Sequence, residues 1–431
     1  MGQESSTLQN RMDFRIVIAI ALAFLMLMGA TLPGLTRAQT AVVEESAYTT
    51  HDPIRINGNA DFATQATAEG WPGDGSEGNP YVIEGYEING TGHGYCIYIG
   101  NTTVYFVVRG CYVHNASENR YYEYYRDAGV YLWNVQNGRL ENNTIIYNES
   151  GIRLYHSSHN FISDNTIFSN KHNGIFIYWQ CENNIISDNN LTNNVHAIII
   201  SDSTDNYIKN NDMWGNAIHL DGGTKLELLD SHDIDSSNTV NGKPVYYLKN
   251  VNGEIVPEDA GQVILVNCKG VTVQNLNISN VDFGISLFFS SENMVTNNIL
   301  YTRQSGIRLS YSDGNTIANN SIHNTANASN GIGIILLASY QNTVIDNNIT
   351  GFSKGIEVTV VSSHSEPRIN NNVVQNNTFS DNEMDYDVEL ILESGGINMT
   401  LIYLSGFFII LAIIAFGFRV WKEKKNIRKG E

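Results

Sequence analysis

Short segments in which apolar and polar residues alternate run along most of this chain, and two motifs repeat within them. The first motif is an aliphatic residue, a polar residue, an asparagine-like pair, any residue and a second apolar residue. Its copies begin at Leu140, Ile162, Ile186, Ile208, Val295, Ile317, Val344 and Val374, most often 22 residues apart, with looser copies at Val108 and Val273. A fixed period of this length predicts one structural unit per repeat.

The second motif is a small residue followed by isoleucine. It occurs between copies of the first motif, at Gly151, Gly174, Ala197, Ala217, Gly284, Gly306 and Gly355. Two short segments with a period of two residues do not fit helical repeats, whose apolar stripe has a period of 3.6. At about 3.3 Å per residue, one repeat gives a perimeter of about 70 Å, enough for three short strands and their turns. We therefore predict an all-β solenoid with coils of about 22 residues.

Stacked coils would place equivalent residues above one another. The isoleucines would then form internal aliphatic ladders, and the repeated asparagines would form a ladder of amide hydrogen bonds. We assign this structural role, in preference to sugar binding, to Asn143, Asn165, Asn189, Asn211, Asn298, Asn320 and Asn377.

The same stacking predicts which side chains face outward, because side chains alternate along a strand. One outward column contains Trp133, Tyr155, Tyr178, Ser201 and Asp221, and the column beside it contains Tyr131, Arg153, Phe176, Ile199 and His219. A tyrosine-rich segment at 121–125 is expected nearby. Exposed aromatic rings with polar neighbours suit sugar rings. The candidate ligand-binding residues are Trp133, Tyr155, Tyr178, Tyr131 and Phe176. Alternatively, the rings stabilise the sheet face or pack under a loop.

Composition and charge limit the partners of the chain. With 431 residues, of which 42% are hydrophobic, it can bury a core and is not a disordered polymer. Its formal net charge is -19, although residues 419–431 carry six basic and two acidic side chains. The rest of the chain is therefore strongly acidic, which excludes nucleic acid as an expected partner.

Both ends have the composition of membrane-targeting segments. Residues 1–38 contain Arg11 and Arg15, then an apolar run and a small-residue site, as in a cleaved signal peptide; an uncleaved anchor is the alternative. Residues 397–420 contain an uncharged apolar run from Leu401 to Phe418, which predicts a transmembrane helix. The basic tail at 421–431 predicts a cytoplasmic C-terminus and an extracellular body. A GPI signal fits less well, because no basic tail should follow its apolar segment.

Glycosylation sequons agree with an extracellular body, although a chain rich in Asn, Ser and Thr also produces them by chance. They occur at Asn89, Asn101, Asn115, Asn142, Asn148, Asn190, Asn277, Asn319, Asn327, Asn348, Asn376 and Asn398. The four cysteines, Cys96, Cys111, Cys181 and Cys268, lack a metal-binding spacing and are expected to be small core residues. Cys96 and Cys111 are the one pair to test for a disulfide.

Few acidic residues are placed for chemistry. Asp202, His219 and Asp221 are expected on adjacent coils, where they could form a general acid/base pair or a Ca²⁺ site. They are the candidate catalytic residues, but no further group completes the set. Other acidic residues follow at 230–235, as expected on an acidic surface.

The stretch NGKPVYYLKN at 241–250 interrupts the repeat. Asn241-Gly242 is a strong turn signal, VYYL is a short strand, Asn252-Gly253 turns again, and Pro257 ends the excursion. The longer passage from HDIDSSN to VQNLNISN resembles NosD-like right-handed parallel β-helix proteins. The segments PIRINGNADF and EGWPGDGSEGNPYVIEGYEING resemble the opening cap of archaeal surface members of that family. The resemblance covers nearly all of residues 53–382.

The resemblance implies a right-handed parallel β-helix, but it leaves the function open. NosD is a periplasmic accessory in copper-site assembly, and the wider class includes carbohydrate-binding proteins and sugar hydrolases. The histidines here are scattered, and His156 and His159 are the only close pair in the coils, hence the candidate copper ligands. We predict a membrane-anchored, non-catalytic binding or scaffold protein at the cell surface. The alternatives are a copper-handling accessory and a polysaccharide lyase or glycoside hydrolase.

This interpretation gives the following predicted organisation. Residues 1–38 are the signal peptide, 39–107 the cap and first coils, 108–240 β-helix repeats, 241–260 the excursion, 261–395 further repeats, 397–420 the transmembrane helix, and 421–431 the tail.

Overall fold

The computed structural model describes residues 48–117, 127–326, 331–363 and 370–393. Within these residues, 37 strands and two helices form a right-handed β-helix whose strands belong to four sheets. The strands pair in parallel, except that β22 (Thr239–Val240) and β23 (Lys243–Lys249) pair antiparallel over two residues. The predicted all-β, parallel β-helix fold is therefore confirmed for the described part of the chain.

Sheet A is the longest and extends through both halves of the solenoid. The first half ends at residue 240, and the second half begins at residue 243. Its strands are β1 (Thr49–His51), β4 (Tyr86–Thr91), β7 (Tyr112–Ser117), β10 (Thr144–Ile146), β13 (Thr166–Phe168), β16 (Asn190–Thr192), β19 (Asp212–Trp214), β22 (Thr239–Val240), β23 (Lys243–Lys249), β24 (Gln262–Val266), β26 (Asn277–Phe288), β28 (Ile299–Ser310), β30 (Ser321–Asn324), β31 (Ile332–Leu337), β33 (Asn348–Thr350), β34 (Lys354–Ser363), β36 (Thr378–Ser380) and β37 (Met384–Glu393).

Sheets B and C belong to the first half, and sheet D belongs to the second half. Sheet B contains β2 (Ile54–Asn57), β5 (Tyr95–Thr102), β8 (Ala128–Val135), β11 (Ser150–Tyr155), β14 (Asn173–Tyr178), β17 (His196–Ser201) and β20 (Ile218–Asp221). Sheet C contains β3 (Tyr81–Glu84), β6 (Phe106–Arg109), β9 (Gly138–Glu141), β12 (Phe161–Ser163), β15 (Ile185–Ser187), β18 (Tyr207–Lys209) and β21 (Asp233–Ile234). Sheet D contains β25 (Thr272–Gln274), β27 (Met294–Thr296), β29 (Thr316–Ala318), β32 (Thr343–Ile345) and β35 (Val373–Gln375).

The repeat spacing sets the register of these sheets. Leu140, Ile162, Ile186 and Ile208 are direct partners on successive strands of sheet C. All four side chains are buried, with at most 1% of each exposed. The first motif therefore forms an internal aliphatic ladder, as predicted, because each copy lies directly above the previous one.

The repeated asparagines form the predicted amide ladder. The side-chain oxygen of Asn189 accepts hydrogen bonds from the backbone N–H and the amide Nδ2 of Asn165, at 3.1 and 3.0 Å. Asn189 in turn donates from the same two atoms to Asn211, at 3.1 and 2.9 Å. Each amide thus satisfies buried polar groups of the turn on the preceding coil, which would otherwise be costly to bury.

A second ladder was not predicted, and it ends in a histidine. Asn160, Asn184 and Asn206 repeat the same bonding pattern at the turn before sheet C. On the next coil, the backbone N–H of Asn206 donates to Nδ1 of His232 at 3.3 Å. His232 is fully buried and therefore replaces an asparagine of the ladder.

The N-terminal end of the solenoid is covered by a helix that the sequence analysis did not predict. This helix, α1 (Asn59–Glu69), ends at Gly70, whose φ of 72° lies in the left-handed region that favours glycine. Its Phe62 is fully buried and packs with Tyr81 and Phe106, at ring centroid distances of 5.0 and 5.3 Å. The helix therefore closes the aliphatic interior at the first coils.

The interruption of the repeat begins earlier than the NGKP turn. Sheet B ends at Asp221, and a short helix, α2 (Glu227–Asp230), follows. Asn241 and Gly242 form the predicted turn with positive φ angles of 52° and 76°, and the predicted VYYL strand lies within β23. However, only Lys243 and Pro244 of β23 pair antiparallel with β22, whereas Val245 to Lys249 pair in parallel with β24. β23 is therefore the first strand of the second half and not one arm of a long hairpin.

The four cysteines are buried and free, so Cys96 and Cys111 are not bridged. Burial raises the pKa of Cys96 and Cys181 to about 12 and that of Cys111 to about 11. Their thiols therefore stay protonated at neutral pH and act as small core side chains, as expected.

Candidate functional site

An aromatic column lies on the outer face of sheet B. Trp133, Tyr155 and Tyr178 occupy paired positions on β8, β11 and β14, because these strands are in register. The rings of Trp133 and Tyr155 stack with centroids 4.5 Å apart. The rings of Tyr155 and Tyr178 are tilted relative to each other, with centroids 5.7 Å apart. All three side chains are partly exposed. The predicted column therefore exists and presents ring surface to solvent.

Three residues of the neighbouring column are buried, although they were expected to be exposed. Tyr131 is 6% exposed, Arg153 4% and Phe176 4%. The guanidinium of Arg153 lies 5.5, 5.1 and 5.6 Å from the ring centroids of Tyr131, Phe176 and Tyr178. The expectation that Tyr131 and Phe176 are exposed is therefore wrong. Of the three buried residues, Arg153 contacts the ring of Tyr178 through a cation–π interaction, and Phe176 stacks on it with centroids 5.2 Å apart.

The column continues into two carboxylates at the end of sheet B. Ser201 pairs with both Tyr178 and Asp221, and the backbone N–H of Asp202 donates to the carbonyl of Asp221 at 3.2 Å. The two aspartates thus lie on adjacent coils, as predicted. Asp202 is close enough to Tyr178 that, after burial, it is the largest cause of the raised pKa of the tyrosine hydroxyl.

The charged groups of this cluster have shifted pKa values. Burial raises the pKa of Asp221, although the nearby Arg308 opposes this, and burial also raises the pKa of Asp202. Burial, together with Arg308 and His196, lowers the pKa of His219 well below its ordinary value. At neutral pH His219 is therefore an uncharged imidazole, and the two carboxyls hold their protons more readily than exposed aspartates.

The candidate copper ligands His156 and His159 lie at turn positions with φ angles of 49° and 57°. His156 is partly exposed and contacts Tyr155 at 4.9 Å between ring centroids, while His159 is exposed. Over the described residues, no three His, Cys, Asp or Glu side chains converge as a metal site would require. Asp202 and Asp221 are likewise not joined by a third such group in that part of the chain.

The sequon asparagines differ in accessibility. Asn148 is fully buried and bonds to Asn170, so it is no acceptor in the folded protein, and Asn115 is partly buried. The exposed ones are Asn89, Asn101, Asn142, Asn190, Asn277, Asn319, Asn348 and Asn376. Asn327 and Asn398 lie outside the described residues.

Several predictions concern parts of the chain that the structure does not describe. These are the signal peptide at 1–38, the tyrosine-rich segment at 121–125, the transmembrane helix at 397–420 and the basic tail. Neither described helix has the length and apolar character needed to cross a bilayer.

The second half contributes residues to this site that the sequence pattern did not predict. Phe283 stacks on His219 and His196, at centroid distances of 4.4 and 5.6 Å, and Arg308, Phe288 and Tyr311 line a pocket with Asp221. The GIRL motif at Gly306 does indicate that Arg308 points outward, as Arg153 does in the GIRL motif at Gly151. The repeat pattern does not indicate that outward side chains of the second half contact residues of sheet B.

Two family models match this chain. Residues 54–213 match the right handed beta helix region, and residues 232–407 match the periplasmic copper-binding protein NosD. These matches assign a right-handed β-helix region to the first part of the chain and a NosD domain to the second part. No curated protein matches the chain significantly.

Solved β-helix structures are similar to this chain at low sequence identity. The A-module of mannuronan C-5 epimerase AlgE4 from Azotobacter vinelandii has 13% identity and a TM-score of 0.31, covering 79% of this chain and 97% of its own. An alginate lyase from Paenibacillus sp. has 9% identity and a TM-score of 0.26, covering 78% and 99%. The surface protein and adhesin PfbA from Streptococcus pneumoniae has 12% identity and a TM-score of 0.30, covering 70% and 93%.

Proposed function

We propose that this protein is a cell-surface glycan-binding protein that uses the aromatic column of sheet B as its platform. The observation that carries the proposal is the in-register stack of Trp133, Tyr155 and Tyr178, each partly exposed, on a rigid parallel sheet. Flat rings on adjacent coils suit the apolar faces of successive sugar units. The adjoining carboxylates of Asp202 and Asp221 can accept hydrogen bonds from sugar hydroxyls.

A glycan array tests this proposal with the full-length chain purified in detergent. The double variant Trp133→Ala with Tyr178→Ala should bind roughly tenfold or more weakly than the unmodified protein, since each ring contributes on the order of 1 kcal/mol. Tyr301→Ala is the matched control, because Tyr301 is an exposed ring stacked on His323 at 4.9 Å outside the column. Equal glycan binding by the double variant and the control variant would contradict the proposal.

The proposal includes anchorage by residues 397–420, with the body outside the cell and residues 421–431 inside. The support is the uncharged run from Leu401 to Phe418 and the basic residues after it. Protease added to intact cells should remove the body and leave an antibody epitope on the tail protected. Loss of that epitope without permeabilisation would reverse the orientation.

Cleavage of a glycan is the second candidate function, favoured by the raised pKa values of Asp202 and Asp221 at the end of the column. A carboxyl that keeps its proton can act as a general acid toward a glycosidic oxygen. Chromatography of array-positive oligosaccharides after incubation with the protein tests this. Shorter products that are absent with Asp221→Asn would support cleavage, and unchanged oligosaccharides would leave binding as the function.

A further inference from the structure

The exposed N-glycosylation sequons of the repeats lie on one side of the solenoid. From residue 128 onward, each exposed sequon asparagine of the described residues lies either in sheet A or in the turn that enters it. We call these six asparagines the sheet A sequons: Asn142, Asn190, Asn277, Asn319, Asn348 and Asn376. The aromatic column lies on sheet B and therefore belongs to a different face of the solenoid.

The sheet A sequons recur at two equivalent positions of the coil. Three of them occupy a turn with a φ angle of 55° or 56°, just before a strand of sheet A begins; these are Asn142, Asn319 and Asn376. The other three are the first residues of β16, β26 and β33. Asn277 and Asn348 share one register column with Ile299 and Ser321. Because the two positions are two residues apart, both present their side chains on the outer side of the same corner.

The hydroxyl residue of each sheet A sequon lies on the same outer side. In the turn sequons it is the first residue of the following strand, as Thr144 is in β10. In the strand sequons it is the third residue of the strand, as Thr192 is in β16. None of these six hydroxyl residues is buried, and the hydroxyl of Thr192 donates to Oδ1 of Asn190 at 3.0 Å. The acceptor amide and the hydroxyl are therefore presented together at the surface.

Two other sequons provide contrasts within the same chain. Asn148 is fully buried, and its Nδ2 donates to Asn170 Oδ1 at 3.1 Å, so a sugar there would break a ladder of buried amides. Asn101 is exposed, but it lies in β5 of sheet B, and its Nδ2 donates to Asn57 Oδ1 at 2.7 Å. Its Oδ1 accepts from Nδ2 of Asn134 at 2.9 Å. At both of these sites the nitrogen that would carry the sugar is already bonded.

We propose that N-linked glycans are attached to the sheet A sequons and cover that side of the solenoid, while the aromatic column of sheet B stays uncovered. This inference rests on the part of the proposed function that places the body outside the cell. Because such glycans are bulky, the coated side is closed to large partners, and the sheet B side remains the binding side.

The modification is a transfer of a glycan from a membrane-bound donor. Nδ2 of the asparagine forms a bond to the anomeric carbon of a glycan carried by a lipid phosphate. The bond between that carbon and the phosphate oxygen breaks, the lipid phosphate leaves with the electron pair, and the amide nitrogen releases one proton. The transfer needs an exposed acceptor amide, which each of the sheet A sequons provides.

Mass spectrometry of glycopeptides tests the proposal with the full-length protein, purified in detergent from the membranes of its source cells. Peptides that contain the sheet A sequons should carry glycan masses, whereas peptides that contain Asn101 or Asn148 should not. Asn190→Gln should lower the intact mass by one glycan. Asn210→Gln is the matched control, because Asn210 is an exposed turn asparagine of the same corner, with a φ angle of 54°, but has no sequon. This control should keep the full glycan mass.

A second variant adds a sequon at the same corner. Asn297 is exposed and has the turn conformation, with a φ angle of 57°, but residue 299 is isoleucine instead of serine or threonine. Ile299 is the first residue of β28 and is 43% exposed, so threonine, which also favours strands, replaces a side chain outside the core. Ile299→Thr should therefore add one glycan mass, on the peptide that contains Asn297.

Protease treatment of intact cells separates the possible failures. If added protease removes the body but none of the sheet A sequons carries a glycan, the glycosylation inference is wrong and the anchorage proposal stands. If the protease does not reach the body and no glycan is present, both are contradicted. A glycan on Asn101 would overturn the one-sided coat. So would an unchanged mass of the Ile299→Thr variant while the natural sites are occupied, because the fold would then not select the acceptors.

Discussion

Trp133 and Tyr155 stack with ring centroids 4.5 Å apart and 23° between their planes, because β8 and β11 pair at these two positions. The sheet therefore holds both rings in place without help from a ligand. A platform that is ordered in advance costs less conformational entropy on binding than one assembled from mobile side chains.

The first prediction follows from the difference between the two faces of β8. Leu132 is fully buried in the interior, and Trp133 is partly exposed on the outer face. Leu132→Ala should lower the free energy of unfolding by about 2–5 kcal/mol, because it leaves a cavity in the ladder. Trp133→Ala should cost only about 1 kcal/mol. Urea denaturation measures both changes in the free energy of unfolding. A larger loss for Trp133→Ala than for Leu132→Ala would contradict this prediction and show that the aromatic column acts mainly in stability.

The second prediction concerns the asparagine ladder. Asn189→Ala should destabilise the protein by about 3 kcal/mol, because it leaves the buried backbone N–H of Asn165 without its acceptor and removes the Nδ2 donor to the carbonyls of Ile162 and Ser187. The adjacent Asn190 is exposed, so Asn190→Ala should change stability by less than about 0.5 kcal/mol. Similar denaturation midpoints for the two variants would contradict the role of the ladder.

The third prediction concerns His232, whose pKa burial lowers from 6.5 to about 4. The unfolded chain binds this proton at a higher pH than the folded chain does. The stability that neutral His232 contributes is therefore complete above pH 6.5 and is lost as the pH falls through about 4. His232→Asn, which restores the ladder residue, should remove an acid-dependent loss on the order of 3 kcal/mol.

Thermal unfolding from neutral to acidic pH measures this effect in the unmodified protein and in the His232→Asn variant. Other groups titrate in the same range, so the comparison uses the difference between the two curves at each pH. Curves that stay parallel down to about pH 4 would show that His232 is not the acid-sensitive group.

The fourth prediction concerns Asp221, whose pKa burial raises above the ordinary value of 3.8. The folded protein holds this proton more tightly than the unfolded chain, so its contribution to stability falls as the pH rises through the raised pKa. Asp221→Asn should therefore unfold at a higher temperature than the unmodified protein at pH 7, and the difference should vanish below pH 3.8.

Calorimetry across this pH range checks the fourth prediction. A lower unfolding temperature for Asp221→Asn at neutral pH would mean that the attraction between Asp221 and Arg308 outweighs the cost of burying the carboxylate. The expected sign follows because burial is the larger cause of the shift and Arg308 only opposes it.

The sequence by itself determined the repeating strands, their register, the aliphatic ladder and the first asparagine ladder. A period near 22 residues places Leu140 on Ile162 and Asn165 on Asn189, since each coil contacts only its neighbours. The same local rule determined the outward order of Trp133, Tyr155 and Tyr178. It could not indicate helix α1, because the repeat pattern does not extend to the cap.

Only the tertiary structure decided which outward residues are accessible. Tyr131 and Tyr155 both point away from the interior, yet the first is buried and the second is partly exposed. Asp221 meets Arg308, and His196 meets Asp282, across 86 or more residues of sequence. Such contacts depend on where the chain departs from its repeat after β20 and on how the following coils pack beside sheet B. A pattern that records only the alternation of side chains within each coil carries no information about that packing.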